Sequence, residues 1–200
     1  MNWIPTIEVE NNQGIREMNL MTRHLMNRRI FLNDRIDANM ANSIVSQIMY
    51  LRDESDKPIE MIINSPGGSI TDGLIIYDVI QNLDVELNMY CTGIAASMAA
   101  ILLAGGQKGR RFILPHSKVM IHEPLLSEGV GGSASSIKNI SDSLLRTRKM
   151  VNAILAKHTG KSIAAINKAT SYDHYMDAQE SIKFGICDKV CDNIVSLLSA

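Results

Sequence analysis

Apolar positions recur along this chain at two alternating spacings. Compact apolar runs at Arg29–Leu32, Ile59–Ile63, Val85–Cys91, Arg111–Leu114 and Lys118–Ile121 read as short strands. Between them, apolar residues return every three or four positions, the period of a helix with one buried face. Met40, Ile44, Ile48 and Leu51 predict a helix over about 38–53, and Leu74, Ile75, Val79 and Leu83 predict one over about 70–83. Ala95 to Ala104 is small or apolar on nearly every face, predicting a buried helix closed by Gly105-Gly106. A long helix is predicted over about 134–158, striped by Ile137, Ile140, Leu144, Val151, Ile154 and Leu155 and closed by Thr159-Gly160. Short helices follow at 163–169 and 178–184, the second stopped by Gly185. Residues 1–28 are polar and alternate weakly, which predicts an arm or loop turning at Asn11–Gly14. The tail holds Val190 and an apolar run, Ile194–Leu198.

Strands alternating with helices imply βαβ units and a mainly parallel sheet covered on both faces. Stacked at a shallow angle, such units make a spiral. The long helix departs from this rhythm. Its approach, Ser127–Ser133, is Gly-rich and polar, and its stripe fits packing on another subunit. The chain carries no internal repeat or low-complexity segment.

Composition narrows the class. A chain of 200 residues that is 46% apolar and 20% charged fits one domain with a sizeable core and room for subunit contacts. Aromatics are 4% and Met has 12 copies, so aliphatic and Met side chains fill that core. A net charge of −1 gives no global field toward nucleic acid or an anionic membrane. The cluster Arg146-Thr147-Arg148-Lys149 reads as a solvated helix face. Cys91, Cys187 and Cys191 have no zinc spacing, so no metal is expected, and reduced structural thiols point to the cytoplasm. Neither a signal peptide nor a membrane span is expected.

Four remote segments then supply the parts of a serine hydrolase. Ser97 follows a strand and a Gly and begins a helix. There its own N–H and the next are unpaired and the helix dipole is positive, which favours an alkoxide and an oxyanion. A plain N-cap Ser is the structural alternative. His122 ends an apolar strand at the sheet edge where ligand sites collect, and would act as general base. A hydrogen-bonded edge histidine is the alternative, and His174 is the best substitute. Asp173 would orient the imidazole; a helix cap is the competing role, for which Asp177 is better placed. Gly68 in Asn64-Ser65-Pro66-Gly67-Gly68, together with Met98, offers backbone N–H groups as an oxyanion pair. A phosphate loop is excluded because no Lys-Ser/Thr follows the glycines. The arrangement lacks a Gly-x-Ser-x-Gly elbow, and its Ser–His–Asp order matches none of the three familiar ones.

At this point the chain resembles the ClpP family, the proteolytic subunits of the ATP-dependent Clp (caseinolytic) proteases, over about residues 4–190. The resemblance rests on Asn64–Gly68, Ala95–Ala99, Pro115–Ser117, Met120–Pro124 and His158–Gly160. It implies an α/β, crotonase-like ββα spiral with a protruding handle helix. It divides the chain into an N-terminal arm or axial loop, 1–28, and a protease domain, 29–200, with its head at about 29–124 and 160–200 and its handle at about 125–159. It implies Ser97 as nucleophile, His122 as base, Asp173 as orienter, and Gly68 and Met98 as the oxyanion hole. The Gly129–Ser133 stretch matches the segment that binds substrate as an added strand. Two stacked heptameric rings, a tetradecamer, would enclose the sites. An AAA+ unfoldase of the ClpX, ClpA or ClpC type would feed in unfolded polypeptide for protein quality control. That partner hydrolyses the ATP, and this chain binds no cofactor.

Several positions depart from the family pattern. Glu123 stands where Gln is usual, and Ser171-Tyr172 replace the Arg that normally precedes the catalytic Asp and pairs across rings. Glu60, Ile62 and Asn82 stand where the unfoldase-docking pocket is often aromatic, while Phe112 remains. A carboxylate in such a pocket costs desolvation. These departures point to weakened unfoldase binding and to a second ClpP-type chain in mixed rings. A non-catalytic or regulatory ring partner and a crotonase-type acyl-CoA enzyme are the competing readings; the second would use the same glycine N–H groups for an enolate.

Overall fold

The structure is a computed structural model describing residues 5–11, 14–126, 129 and 131–195. The predicted turn at 11–14 joins two antiparallel strands, β1 (Thr6–Asn11) and β2 (Gly14–Asn19), and helix α1 (Leu20–Met26) follows. The expected arm therefore carries regular structure. Its polar strands hid the pattern because neither β-face is buried. Arg28 then ties this segment to the body, donating to the Leu51, Ser55, Lys57 and Pro58 carbonyls around the C-terminus of α2 (Ala38–Glu54). A guanidinium suits that helix end, where carbonyls lack partners.

The body is α/β. Strands β3 (Arg29–Leu32), β4 (Ile59–Ser65), β5 (Leu87–Ala96), β6 (Arg111–Ile113) and β9 (Lys189–Val190) run parallel in that order. Helices α2, α3 (Ile70–Gln81) and α4 (Met98–Ala104) provide the crossovers. Helix α2 buries most of the stripe that its spacing predicts, Ile44, Ile48 and Leu51, with Ala41 in place of a half-buried Met40. On α3 the expected stripe is wrong: Gly73, Ile76, Tyr77 and Ile80 are buried, while Ile75 is exposed and Leu74, Val79 and Leu83 are half-buried, because apolar residues occur on nearly every face of this helix and spacing alone does not choose among them. All seven residues of α4 are buried.

Strand β5 exceeds its predicted bounds. It was expected to stop at Thr92-Gly93, yet it runs on through Ala96, and the predicted helix start at Ala95 shifts to Met98. Tertiary pairing overrides the helical appearance of the alanines: Ala95 and Ala96 pair with Val119 and Met120 of β7 (Lys118–Ile121). The strand bends at Gly93, whose φ of 156° leaves no room for a Cβ against the Asn64 amide. The Asn64 Oδ1 accepts the Ile94 N–H at 3.2 Å. Below the bend β5 pairs with β6, and above it with β7, which pairs antiparallel with β8 (His174–Met176). The sheet therefore forks at Gly93.

Helix α5 (Ala134–Thr159) buries nothing before Val151 and is closed by Gly160 at φ 72°. Of its predicted stripe, Val151 and Leu155 are buried, Ile140, Leu144 and Ile154 are half-buried and Ile137 is exposed; Leu145 and Met150, off that stripe, are exposed as well, so the first half of the helix keeps apolar surface uncovered within this chain. Helices α6 (Ile163–Ala169) and α7 (Ala178–Phe184) match their predicted spans. Gly129 and Gly131–Ser133 form no strand here, and Ser127, Glu128, Val130 and the end of the predicted apolar tail lie outside the described residues. No described helix is long and apolar enough to cross a membrane.

Candidate active site

Ser97 stands between the upper end of β5 and α4. Its N–H donates to the Met120 carbonyl at 2.8 Å, so sheet pairing fixes the turn. Its backbone is at φ 53°, ψ −121°, a region that costs a non-glycine residue strain. Although it occupies the N-cap position, its side chain makes no cap hydrogen bond. The hydroxyl instead lies 2.8 Å from His122 Nε2.

His122 directly follows β7, one residue past the Ile121↔His174 pair. Asp173 directly precedes β8, so the antiparallel β7–β8 pair brings the two side chains together. Their separation is 3.1 Å from Nδ1 to Oδ1. An ionised carboxylate only accepts, so Nδ1–H donates to Asp173 and Nε2 is left to accept the Ser97 hydroxyl proton. His122 is mostly buried, with 16% of its side chain exposed, while Asp173 is open at 57%. His174 turns elsewhere, with its ring edge-on to Phe184. Asp177 takes the cap role in a full capping box on α7.

Gly67 packs directly under the Ser97 turn, and Gly68 packs on the Ile36 backbone. A Cβ on Gly67 would fall 2.8 Å from Ser97 Cβ and 2.9 Å from Met98 N. Gly68, at φ 156°, is bracketed by Ile36, whose N–H donates to Gly67 O at 2.9 Å and whose carbonyl accepts from Ser69 N at 2.8 Å. The Gly68 and Met98 N–H groups have no protein acceptor among the described residues. Two unspent donors thus sit beside the hydroxyl, Met98 at a helix start.

A cleft of about 740 Å³ opens over Ser97, His122, Gly67 and Gly68. Pro124, Leu125, Leu126, Ile140 and Leu144 form an apolar wall, and Arg35 is the one permanently charged side chain among its described lining residues. Sequence reasoning missed the Arg35, Ile140 and Leu144 contributions, because cleft walls assemble from segments whose own periodicity speaks only of helix and strand.

Arg148 corrects another expectation. It is not part of a solvated face: its Nε lies 2.9 Å from Glu123 Oε2, and both side chains are about one-third exposed. The carboxylate that departs from the family pattern next to His122 is therefore paired. Glu60 accepts from Asn88 Nδ2 at 2.9 Å, while its Oε2 is buried without a hydrogen bond. Ile62, Tyr90 and Phe112 lie beside it in consecutive register across the sheet, with the Tyr90 and Phe112 rings stacked at 4.9 Å. Asn82 edges a separate hollow with Ile48, Met49 and Val79. Cys91, Cys187 and Cys191 are buried and unbridged; burial pushes the Cys91 thiol up to about 11 and raises the other two. Such thiols are poor nucleophiles. No cluster that could hold a metal occurs among the described residues.

The Clp protease family model matches residues 11–194 of the 200.

Proposed function

Because the chain belongs to the Clp protease family, we propose that it is a serine-type endopeptidase with Ser97 as nucleophile, His122 as general base and acid, and Asp173 as orienter. The observation that carries this reading is the continuous hydrogen-bonded chain from Ser97 through His122 to Asp173, opening on a peptide-sized cleft. Ser97 Oγ attacks the scissile carbonyl carbon as His122 Nε2 takes its proton. The carbonyl oxygen becomes an oxyanion held by the Gly68 and Met98 N–H groups. His122 then gives the proton to the departing amine, leaving an acyl-enzyme. Water, deprotonated by the same nitrogen, attacks the ester, and Ser97 regains its proton as the acid product leaves. Asp173 stabilises the imidazolium in both halves.

The substrates in this reading are unfolded polypeptides, delivered into stacked heptameric rings by an AAA+ unfoldase that hydrolyses ATP. The exposed apolar surface of α5 supports its use as the ring-joining handle. This chain needs no cofactor for the chemistry. Labelling with a fluorophosphonate, read together with particle size, tests the assignment. Labelling of assembled wild type and none of Ser97→Ala is expected; equal labelling of both removes it.

One observation favours a refinement. Glu60, with an unpaired buried oxygen beside Ile62, Tyr90 and Phe112, makes an apolar docking surface partly polar. Homomeric rings would then bind an unfoldase weakly, and a second ClpP-type chain would supply the docking sites in mixed rings. Tight capture of ClpX by homomeric rings would remove this refinement.

A further inference from the structure

One face of α5 reaches both segments that carry the imidazole and the carboxylate of the site. Arg148 and Asn152 are one helical turn apart, so they project from the same side. Arg148 Nε lies 2.9 Å from Glu123 Oε2, and Glu123 is bonded directly to His122. The Nε is shielded from water and makes no aligned hydrogen bond, so its contact with Glu123 is coulombic. Asn152 is buried and donates through Nδ2 to Asn167 Oδ1 at 2.7 Å and to Thr170 Oγ1 at 3.4 Å. Thr170 is fully buried and begins the short link to Asp173. A third contact closes the loop: Glu123 N–H donates to the Thr170 carbonyl at 2.7 Å. Pro124 restricts Glu123 to extended backbone, so side-chain and main-chain anchors act on a stiff residue. Neither Glu123 nor Arg148 lines the cleft.

We infer that the Glu123–Arg148 ion pair is a positioning device through which α5 holds His122 against Ser97 and Asp173. This rests on the endopeptidase reading above. An ion pair this open adds little to global stability. Its effect falls instead on the His122 ring, because small displacements of a catalytic group are costly in rate.

The test is steady-state peptide hydrolysis by the full assembled protein, with fluorophosphonate labelling rate and particle size read in parallel. Arg148→Met and Glu123→Met are expected to lower kcat by about ten- to a hundredfold with KM unchanged. Particle size should stay the same. The double variant should lose no more than either single one, since both remove one interaction. Arg148→Lys and Glu123→Asp, which keep both charges, should recover most of the rate. Wild-type kcat in Arg148→Met, additive losses in the double variant, or a loss that tracks dissociation of the particles overturns the inference. If Arg148→Met fails to assemble, Glu123→Gln, which removes the charge alone, carries the comparison against Arg148→Lys: a lowered kcat is expected in the first, and wild-type kcat or a changed KM there is equally fatal. A wild type that neither labels nor hydrolyses peptide takes down the endopeptidase reading itself. Activity in the wild type alongside an indifferent Arg148→Met takes down only the positioning role.

Discussion

Arg111 and Asp188 face each other through two hydrogen bonds, Nη2 to Oδ1 at 2.6 Å and Nε to Oδ2 at 2.9 Å, with the arginine side chain 1% exposed. The guanidinium also donates to the Ala104 carbonyl at the end of α4, so one pair joins α4, β6 and the approach to β9. Burial pushes the Asp188 carboxyl up. The Arg111 hydrogen bonds and charge, with the Gly109 and Arg111 N–H groups, outweigh that and hold it below 3.8. Removing one partner leaves the other charge buried and unpaired. Asp188→Ala should therefore cost about 3–5 kcal/mol in denaturant unfolding at neutral pH. Because the folded carboxyl is the more acidic form, its contribution is full above 3.8 and is lost as pH falls through the depressed folded value. Asp188→Asn should lack that part of the acid sensitivity.

Tyr77 and His158 give a second pH signature. The Tyr77 hydroxyl lies 2.8 Å from His158 Nε2, joining α3 to the last turn of α5. Burial, then the Lys157 and Arg111 charges, lower the His158 pKa below 6.5, which favours the neutral ring, and in its Nδ1–H tautomer Nε2 accepts the hydrogen bond of the Tyr77 hydroxyl. Folding favours the neutral form, so this contribution is complete above 6.5 and fades as pH falls through the depressed folded value. Tyr77→Phe should cost about 1 kcal/mol at pH near 8 and less near 5. Chemical denaturation at the two pH values reads the difference; an equal loss at both contradicts the assignment.

The strained backbone of Ser97 separates chemistry from stability. Ser97→Ala should abolish peptide hydrolysis but keep the strain at φ 53°. Ser97→Gly should be equally inactive yet about 1–3 kcal/mol more stable than Ser97→Ala, because glycine adopts that conformation freely. Thermal unfolding of the two inactive variants makes the comparison without any kinetic assumption.

Gly67 tests the floor of the site. Its φ of 85° and its contact with the Ser97 turn leave no space for a methyl group, the nearest obstacle being the Ala96 carbonyl at 2.5 Å. Gly67→Ala should displace the turn, lowering the labelling rate of Ser97 by more than tenfold and destabilising the fold by about 1–3 kcal/mol. An Ala variant with wild-type labelling would show that the turn tolerates movement.

Much of this was legible from residue order alone, for definite reasons. The spans of α2, α3, α6 and α7 follow the apolar recurrence and the residues that cap them, but the buried face does so only for α2; on α3 apolar residues on several faces left the choice open. Ser97 and His122 stood out because each lies next to a legible strand end, where the chain must turn, whereas Asp173 read only as part of a loop between two short helices. The hairpin β1–β2 was not legible, since neither of its faces enters the core. Strand β8 was hidden as well: His174–Met176 is too short to show a period and exists only because β7 pairs with it. The extension of β5 to Ala96 was masked by alanines, whose helical preference yields to the β7 ladder. Arg148 looked like one cation among several, because charge order along a helix says nothing about a carboxylate on a remote loop.

The bend of β5 at Gly93 has a bearing on how this scaffold can diversify. The Ser97 hydroxyl stands at the end of a central strand laced into neighbours on either side, and not on a loop free to wander. The walls that would greet a visiting peptide belong to other, more loosely tethered parts of the chain, such as Leu125, Leu126 and α5. The make-up of the walls is thereby uncoupled from the placing of that hydroxyl: the walls can be rewritten while the strand beyond the fork keeps it where it is.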